Sequence, residues 1–248
     1  GIPLIIDNTM ATPFLCQPIQ YGADIVVHST TKFLSGHGNA MGGAIVDSGT
    51  FDWAQNDKYP SLAQPEEAYH GLNFYESFGD LAYTTYGHAV GLRDLGPTMA
   101  PMNAYLTIMG IETLALRMEK HVANAEVVAN YLHNHAKVSW VSYAGLEDSN
   151  YFHLAKKYLP KGAGSVFTFG IKGGYDAGVK FVEKCQLLSH LANIGDTRSL
   201  VLHPASTTHR QLTETQRISA GAGDDVIRLS IGLETVEDII ADLEQALR

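Results

Sequence analysis

The chain opens on two continuous apolar runs, each ending in polar residues. Ile2, Leu4, Ile5 and Ile6 form the first, which stops at Asp7. A short helical or turn segment over residues 11–22 follows. The second run, residues 23–27, ends on His28-Ser29-Thr30-Thr31-Lys32. Continuous apolar strands predict a parallel sheet covered on both faces. In such sheets ligands bind beyond the carboxyl ends of the strands. Both runs place polar residues there: Asp7, Asn8 and Thr9 on one, Ser29 to Lys32 on the other.

The later pattern is more varied. A glycine-rich turn around Gly36, Gly38, Gly42 and Gly43 precedes a short strand at residues 44–46, and residues 49–100 read as loops and short helices. Residues 103–135 read as one long helix or two joined ones, about 50 Å long if unbroken. A second α/β unit follows. It has a strand at 164–171, an amphipathic helix at 176–191, and a strand at 226–233 whose Ile227, Leu229, Ile231 and Leu233 share one face while Arg228 and Ser230 take the other. The last helix carries Val236, Ile239, Ile240, Leu243 and Leu247 at helical spacing, with Thr235 as its start cap.

Composition excludes more than it assigns. The 248 residues are 45% apolar and 17% charged, with a net charge of -9. That is enough apolar material for a core, and no basic face points to nucleic acid. No apolar run reaches the ~20 residues that span a bilayer. Cys16 and Cys185 form no CxxC pair and read as reduced cytoplasmic cysteines. The histidines lack ligand spacing, so no metal site is expected, and the glycine cluster does not fit GxGxxG. A strand beginning at residue 2, with no initiator Met, predicts that the chain extends upstream of Gly1 or that a partner chain supplies the missing part.

The polar strand ends offer one chemistry. Pyridoxal 5'-phosphate enzymes need a lysine for the Schiff base, a carboxylate to keep the pyridine nitrogen protonated, donors for the phosphate, and usually an arginine for the substrate carboxylate. Lys32, Asp7, Ser29 with Thr31, and Arg228 are candidates for these roles in turn. Taken singly, each has a plainer reading: a solvated lysine, a turn-capping acid, a structural ion pair.

Several stretches resemble a known family. Asp7-Asn8-Thr9 with Ala11-Thr12-Pro13, then His28-Ser29-Thr30-Thr31-Lys32-Phe33-Leu34-Ser35-Gly36-His37-Gly38, is similar to the Cys/Met-metabolism pyridoxal-phosphate enzymes. So are the stretches from Ser199 to His209 and from Arg228 to Glu234. Three separated motifs in order make the resemblance specific, and it runs through the whole chain. Residues 51–53, 69–71, 92–96 and 208–212 look most like the O-acetylhomoserine sulfhydrylases within that family.

The resemblance implies an α/β fold of the aspartate-aminotransferase-like transferase type (fold type I). Residues 1–112 would be the later part of the large cofactor-binding domain and residues 113–248 a smaller C-terminal α/β domain. Position by position, it makes Lys32 the Schiff-base lysine and Asp7 the pyridinium partner. Thr9, Ser29 and Thr31 become cofactor contacts, and Ser199 and Arg228 the substrate-carboxylate site. The implied reaction is γ-replacement on O-acetyl-L-homoserine with sulfide or a thiol, in a cytoplasmic homo-oligomer built as a dimer of dimers. The rivals are methionine γ-lyase or cystathionine γ-synthase chemistry, or a non-catalytic fragment or subunit. The family's upstream part, with its phosphate turn and ring-stacking aromatic, is absent from these residues.

Overall fold

The computed structural model describes residues 1–248. Two sheets organise the chain. The first holds β1 (Ile5–Asp7), β2 (Ile25–Ser29) and β3 (Gly43–Asp47), with β2 in the middle. β1 and β2 run parallel with Ile5 opposite Ile25, joined through the short α1 (Thr12–Leu15). β3 is antiparallel to β2, with Gly43 opposite Ser29. The sheet is therefore mixed, because the glycine-rich turn sends the chain straight back along β2.

The expectation of burial on both faces fails for this sheet. Ile5 is 51% exposed and Ile45 59%. Residues 49–100 form α2 (Pro60–Ala63), α3 (Phe74–Phe78), α4 (Ala82–Tyr86) and a wide helical turn over Gly87–Asp94. These fold against part of the sheet only, where Ile25 joins Trp53, Leu62, Phe74 and Ala82 in an aromatic-rich core. Nothing in the chain covers Ile5, Ile45 and Val46, so continuous apolarity here marks surface that the chain itself leaves open.

Two helices then cross the molecule. α5 (Pro101–Glu112) and α6 (Leu114–His133) are separate, joined at Thr113. Of the two readings for this stretch, the joined pair holds. Leu114, Met118 and Val122 of α6 pack with Leu15, Phe33 and Leu34, which anchors the segment just after Lys32. No helix is long and apolar enough to cross a membrane.

The second sheet has the order β4-β5-β8-β7-β6, made from β4 (Val138–Ser142), β5 (Val166–Ile171), β6 (Ser189–His190), β7 (Leu200–Leu202) and β8 (Val226–Ser230). α7 (Phe152–Tyr158), α8 (Gly174–Lys184), α9 (Glu214–Ser219) and α10 (Val236–Leu247) complete the unit. The largest core lies here, with Ile227, Leu229, Ile231, Phe169, Ile239 and Leu243 fully buried. α8 stops at Lys184 rather than running to residue 191. The Asp242 carboxylate accepts hydrogen bonds from the N–H groups of Gln186, Leu187 and Leu188 and holds them out of the helix. Thr235 does precede α10, but its side chain makes no capping bond. Three of the strands, β4, β6 and β7, are too short or too polar to stand out by pattern.

Candidate active site

Lys32 sits in a tight turn just past β2. Its N–H donates to the Ser29 carbonyl (3.2 Å), and its own carbonyl accepts from the Gly36 N–H (2.8 Å). The following residue, Phe33, is fully buried. The backbone is thus held on both sides while the side chain reaches across to the second sheet. There Lys32 Nζ donates to Asn193 Oδ1 at 2.5 Å. Burial first, and then the positive charge of Arg228, holds the Lys32 amine below the usual lysine range.

Arg228 comes to the same place from the middle of β8. It is opposite Thr168 and Leu202 in the sheet, and its Nη2 donates to the Asn193 carbonyl at 3.3 Å. It is partly buried, and burial lowers its pKa. None of the ion pairs in the chain includes it. A desolvated guanidinium without a carboxylate partner is costly and has its fork of donors open to an anion. The structural ion-pair reading of Arg228 therefore has no support.

Asp7, Thr9 and Ser29 form a second group across β1 and β2. The Thr9 N–H donates to the Asp7 carboxylate at 3.0 Å, and Thr9 Oγ1 accepts from the Ser29 N–H at 2.8 Å. Hydrogen bonding from the Thr9 side chain, then from its N–H, holds the Asp7 carboxyl below the usual carboxylate range. Asp7 is exposed at the end of β1, and the bonds from Thr9 are what favour its ionised form. The Ser29 hydroxyl makes no hydrogen bond within the chain.

Thr31 and Ser199 are placed differently. The Thr31 hydroxyl donates to the Gly42 carbonyl (3.3 Å) and accepts from the Gly42 N–H (3.1 Å), closing the glycine-rich turn. Ser199 is fully buried. Its hydroxyl donates to Glu234 Oε2 (2.9 Å) and accepts from the Gly232 N–H (2.8 Å). Both partners lie more than 30 residues away in the chain, so the Ser199 hydroxyl ties β7 to the segment that follows β8. The residue that stands beside Arg228 is Asn193, which pattern reading missed. It lies in an irregular loop 35 residues before Arg228, where no periodicity marks a position.

That loop is fixed to the lysine turn. The Gly195 N–H donates to Ser230 Oγ (2.9 Å) and the Thr197 N–H to the Gly36 carbonyl (2.9 Å). Gly195 has φ +74°, and a Cβ there would lie 2.7 Å from the Phe33 nitrogen. Only glycine allows the Asn193 loop to approach Phe33 so closely.

A primary amine with lowered basicity, an ionised carboxylate, a free hydroxyl and an unpaired arginine together match the donor set that pyridoxal phosphate and an amino acid require. The comparisons agree. Residues 1–248 match the family described as Cys/Met metabolism PLP-dependent enzyme. The chain belongs to that family. Among curated members, it is 49% identical to the O-acetyl-L-homoserine sulfhydrylase of Leptospira meyeri and 51% identical to the homocysteine synthase of Schizosaccharomyces pombe. Each match covers 100% of this chain and 58% of the relative, so the chain spans a little over half the length of these relatives. A solved family structure, an O-acetylhomoserine (thiol)-lyase of Campylobacter jejuni, superposes with a TM-score of 0.94 at 44% identity. That match covers 99% of this chain and 59% of the other, whose structure contains a pyridoxyl-lysine phosphate. The aspartate-aminotransferase-like α/β fold expected from the motifs is thereby established.

Proposed function

We propose that this chain carries the lysine-bearing part of an enzyme that exchanges the γ-substituent of O-acetyl-L-homoserine for sulfide or a thiol, giving homocysteine or methionine and acetate. The observation that carries it is the shared partner: Lys32 and Arg228 both engage Asn193. An amine able to move protons and a cation able to hold an α-carboxylate therefore face one small volume.

Bound as the family description requires, pyridoxal phosphate supplies an electron sink for charge developing at the substrate carbons. Arg228 binds the substrate carboxylate through its fork of N–H donors. Lys32 Nζ, its basicity lowered by burial and by Arg228, takes and returns protons at Cα and Cβ. Asn193 Oδ1 aims the amine between those transfers. The Asp7 carboxylate would hold the pyridine nitrogen of the bound cofactor and favour its protonated form. The Ser29 hydroxyl would donate to the cofactor's phosphate. Thr31, whose hydroxyl is engaged by Gly42, shapes the phosphate side of the turn. In the overall exchange the Cγ–O bond breaks, acetate leaves, and a Cγ–S bond forms as the sulfur nucleophile gives up its proton.

The names of the relatives support this reading over methionine γ-lyase and cystathionine γ-synthase chemistry. The division near residue 112 is supported by the break at Thr113 between α5 and α6. Assembly as a homo-oligomer is supported by the bare apolar side of α5, where Met102 is 65%, Tyr105 58% and Ile108 59% exposed. Residues beyond this chain complete the phosphate and ring contacts, in keeping with the 58% coverage of the relatives. A cytoplasmic setting fits the two unpaired cysteines.

The test is acetate release by the full-length protein with and without sulfide. Homocysteine formed in step with acetate, and lost in Lys32→Ala, is expected. Formation of 2-oxobutyrate and ammonia with sulfide present would overturn the exchange reading.

A further inference from the structure

Arg117, His121 and Asn124 stand on one face of α6, at i, i+4 and i+7. They are only 5%, 0% and 2% exposed. Those are positions where a helix normally places apolar side chains. A buried polar group at such a site is costly unless it is hydrogen-bonded, and these three are bonded in an ordered way. Each donates to the backbone of a segment that carries a candidate site residue.

At one end, Arg117 Nη1 donates to the Phe33 carbonyl (2.8 Å) and Nη2 to the carbonyls of Leu34 (3.4 Å) and Gly110 (2.7 Å), while Nε donates to Thr113 Oγ1 (3.2 Å). Phe33 and Leu34 are the two residues after Lys32. A charged planar fork fixes the orientation of the peptide planes it binds. At the other end, His121 Nδ1 donates to the Ile231 carbonyl (2.6 Å), and Asn124 Nδ2 donates to the carbonyls of Gly232 (3.0 Å) and Glu234 (2.8 Å). Ile231 and Gly232 follow Arg228 by three and four residues, where the chain leaves β8. The His121 ring also meets Phe33 edge-on, with centroids 5.3 Å apart. Arg117 to Asn124 spans about 10 Å of rigid helix.

We infer that this face of α6 is a positioning device: Arg117 orients the Lys32 turn, His121 and Asn124 orient the Arg228 strand end, and the helix sets the separation between them. The inference rests on the function proposed above. It assigns the two ends different duties. Disturbing the Arg117 end displaces the amine that moves protons. Disturbing the His121 end displaces the group that holds the substrate.

The experiment uses the full-length protein with pyridoxal phosphate bound and compares Arg117→Met, Arg117→Lys, His121→Gln and His121→Asn. For each, Tm, kcat, KM for O-acetylhomoserine and the pH midpoint of the visible cofactor band are measured. Arg117→Met is expected to shift that midpoint and lower kcat about tenfold or more, with KM little changed. Arg117→Lys keeps the defect, because an ammonium cannot span three carbonyls. His121→Gln is expected to raise KM about tenfold with the band unshifted. His121→Asn, whose amide nitrogen stands where Nδ1 does, restores KM. If Arg117→Met does not fold, Thr113→Val removes the Nε acceptor, along with the Thr113 hydroxyl's bond to the Gly110 carbonyl, while leaving the Arg117 fork on Phe33 and Leu34, and gives a smaller shift of the same kind. Changes confined to Tm, or kcat, KM and band moving alike in every variant, overturn the inference. Absence of the band in the unaltered protein overturns it together with the proposed function; a normal band with unsplit variants overturns it alone.

Discussion

Lys32 Nζ donates to Asn193 Oδ1 at 2.5 Å, joining a residue just beyond the first sheet to a loop of the second. The acceptor is neutral, so it orients the amine without adding a negative charge that would raise its basicity. Asn193→Ala is expected to lower kcat about tenfold or more through loss of aim. Asn193→Asp adds a carboxylate beside Nζ and raises the lysine pKa, so the alkaline rise of the pH–rate profile moves to higher pH. A profile unchanged by the aspartate would remove Asn193 from the site.

Ser199 and Arg228 should separate cleanly by kinetics. Ser199→Ala leaves the Gly232 N–H and one Glu234 oxygen unpaired inside the protein, a cost of about 1–3 kcal/mol. The expected outcome is a lower Tm with KM almost unchanged. Arg228→Ala removes the carboxylate-binding fork and should raise KM strongly. A large KM effect for Ser199→Ala would instead support its place in the substrate-carboxylate site.

His121 makes stability depend on acid. Burial, outweighing the Ile231 hydrogen bond, lowers its pKa from 6.5 to about 4. In the unfolded chain it titrates at its ordinary value, so below pH 6.5 the unfolded state binds the extra proton. Stability is therefore complete above pH 6.5 and is lost as the pH falls towards about 4, by about 3 kcal/mol in total. Denaturant midpoints measured between pH 7 and 4 should show this loss, and His121→Asn should flatten it. Equal slopes in the two proteins would refute it.

Gly195→Ala should be among the most damaging single-methyl changes. The new Cβ would sit 2.7 Å from the Phe33 nitrogen and 2.8 Å from its ring, at a left-handed φ. Strain and overpacking together cost about 2 kcal/mol or more, read as a lower thermal midpoint. Alanine at Gly71 also has positive φ but meets nothing within 4 Å, so only the conformational cost of about 1 kcal/mol applies there.

Sequence by itself determined the chemistry-bearing strand ends, the family and the fold. Asp7, Thr9, Ser29 and Lys32 were legible because a continuous apolar run stopping at polar residues has a local physical meaning: the strand leaves the sheet there. Arg228 was legible because strand alternation puts it on a face of its own. Three features were decided only by the tertiary structure. The bonds of Ser199 and the nearness of Asn193 to Arg228 depend on partners about 35 residues away, which leave no mark on local periodicity. The exposure of Asp7, Ile5 and Ile45 depends on what packs over a sheet, which an apolar run cannot report. Arg117, His121 and Asn124 did leave a trace, as polar residues on the buried stripe of a helix. Their meaning lies in carbonyls up to 110 residues distant, brought within reach only when the two sheets close on α6.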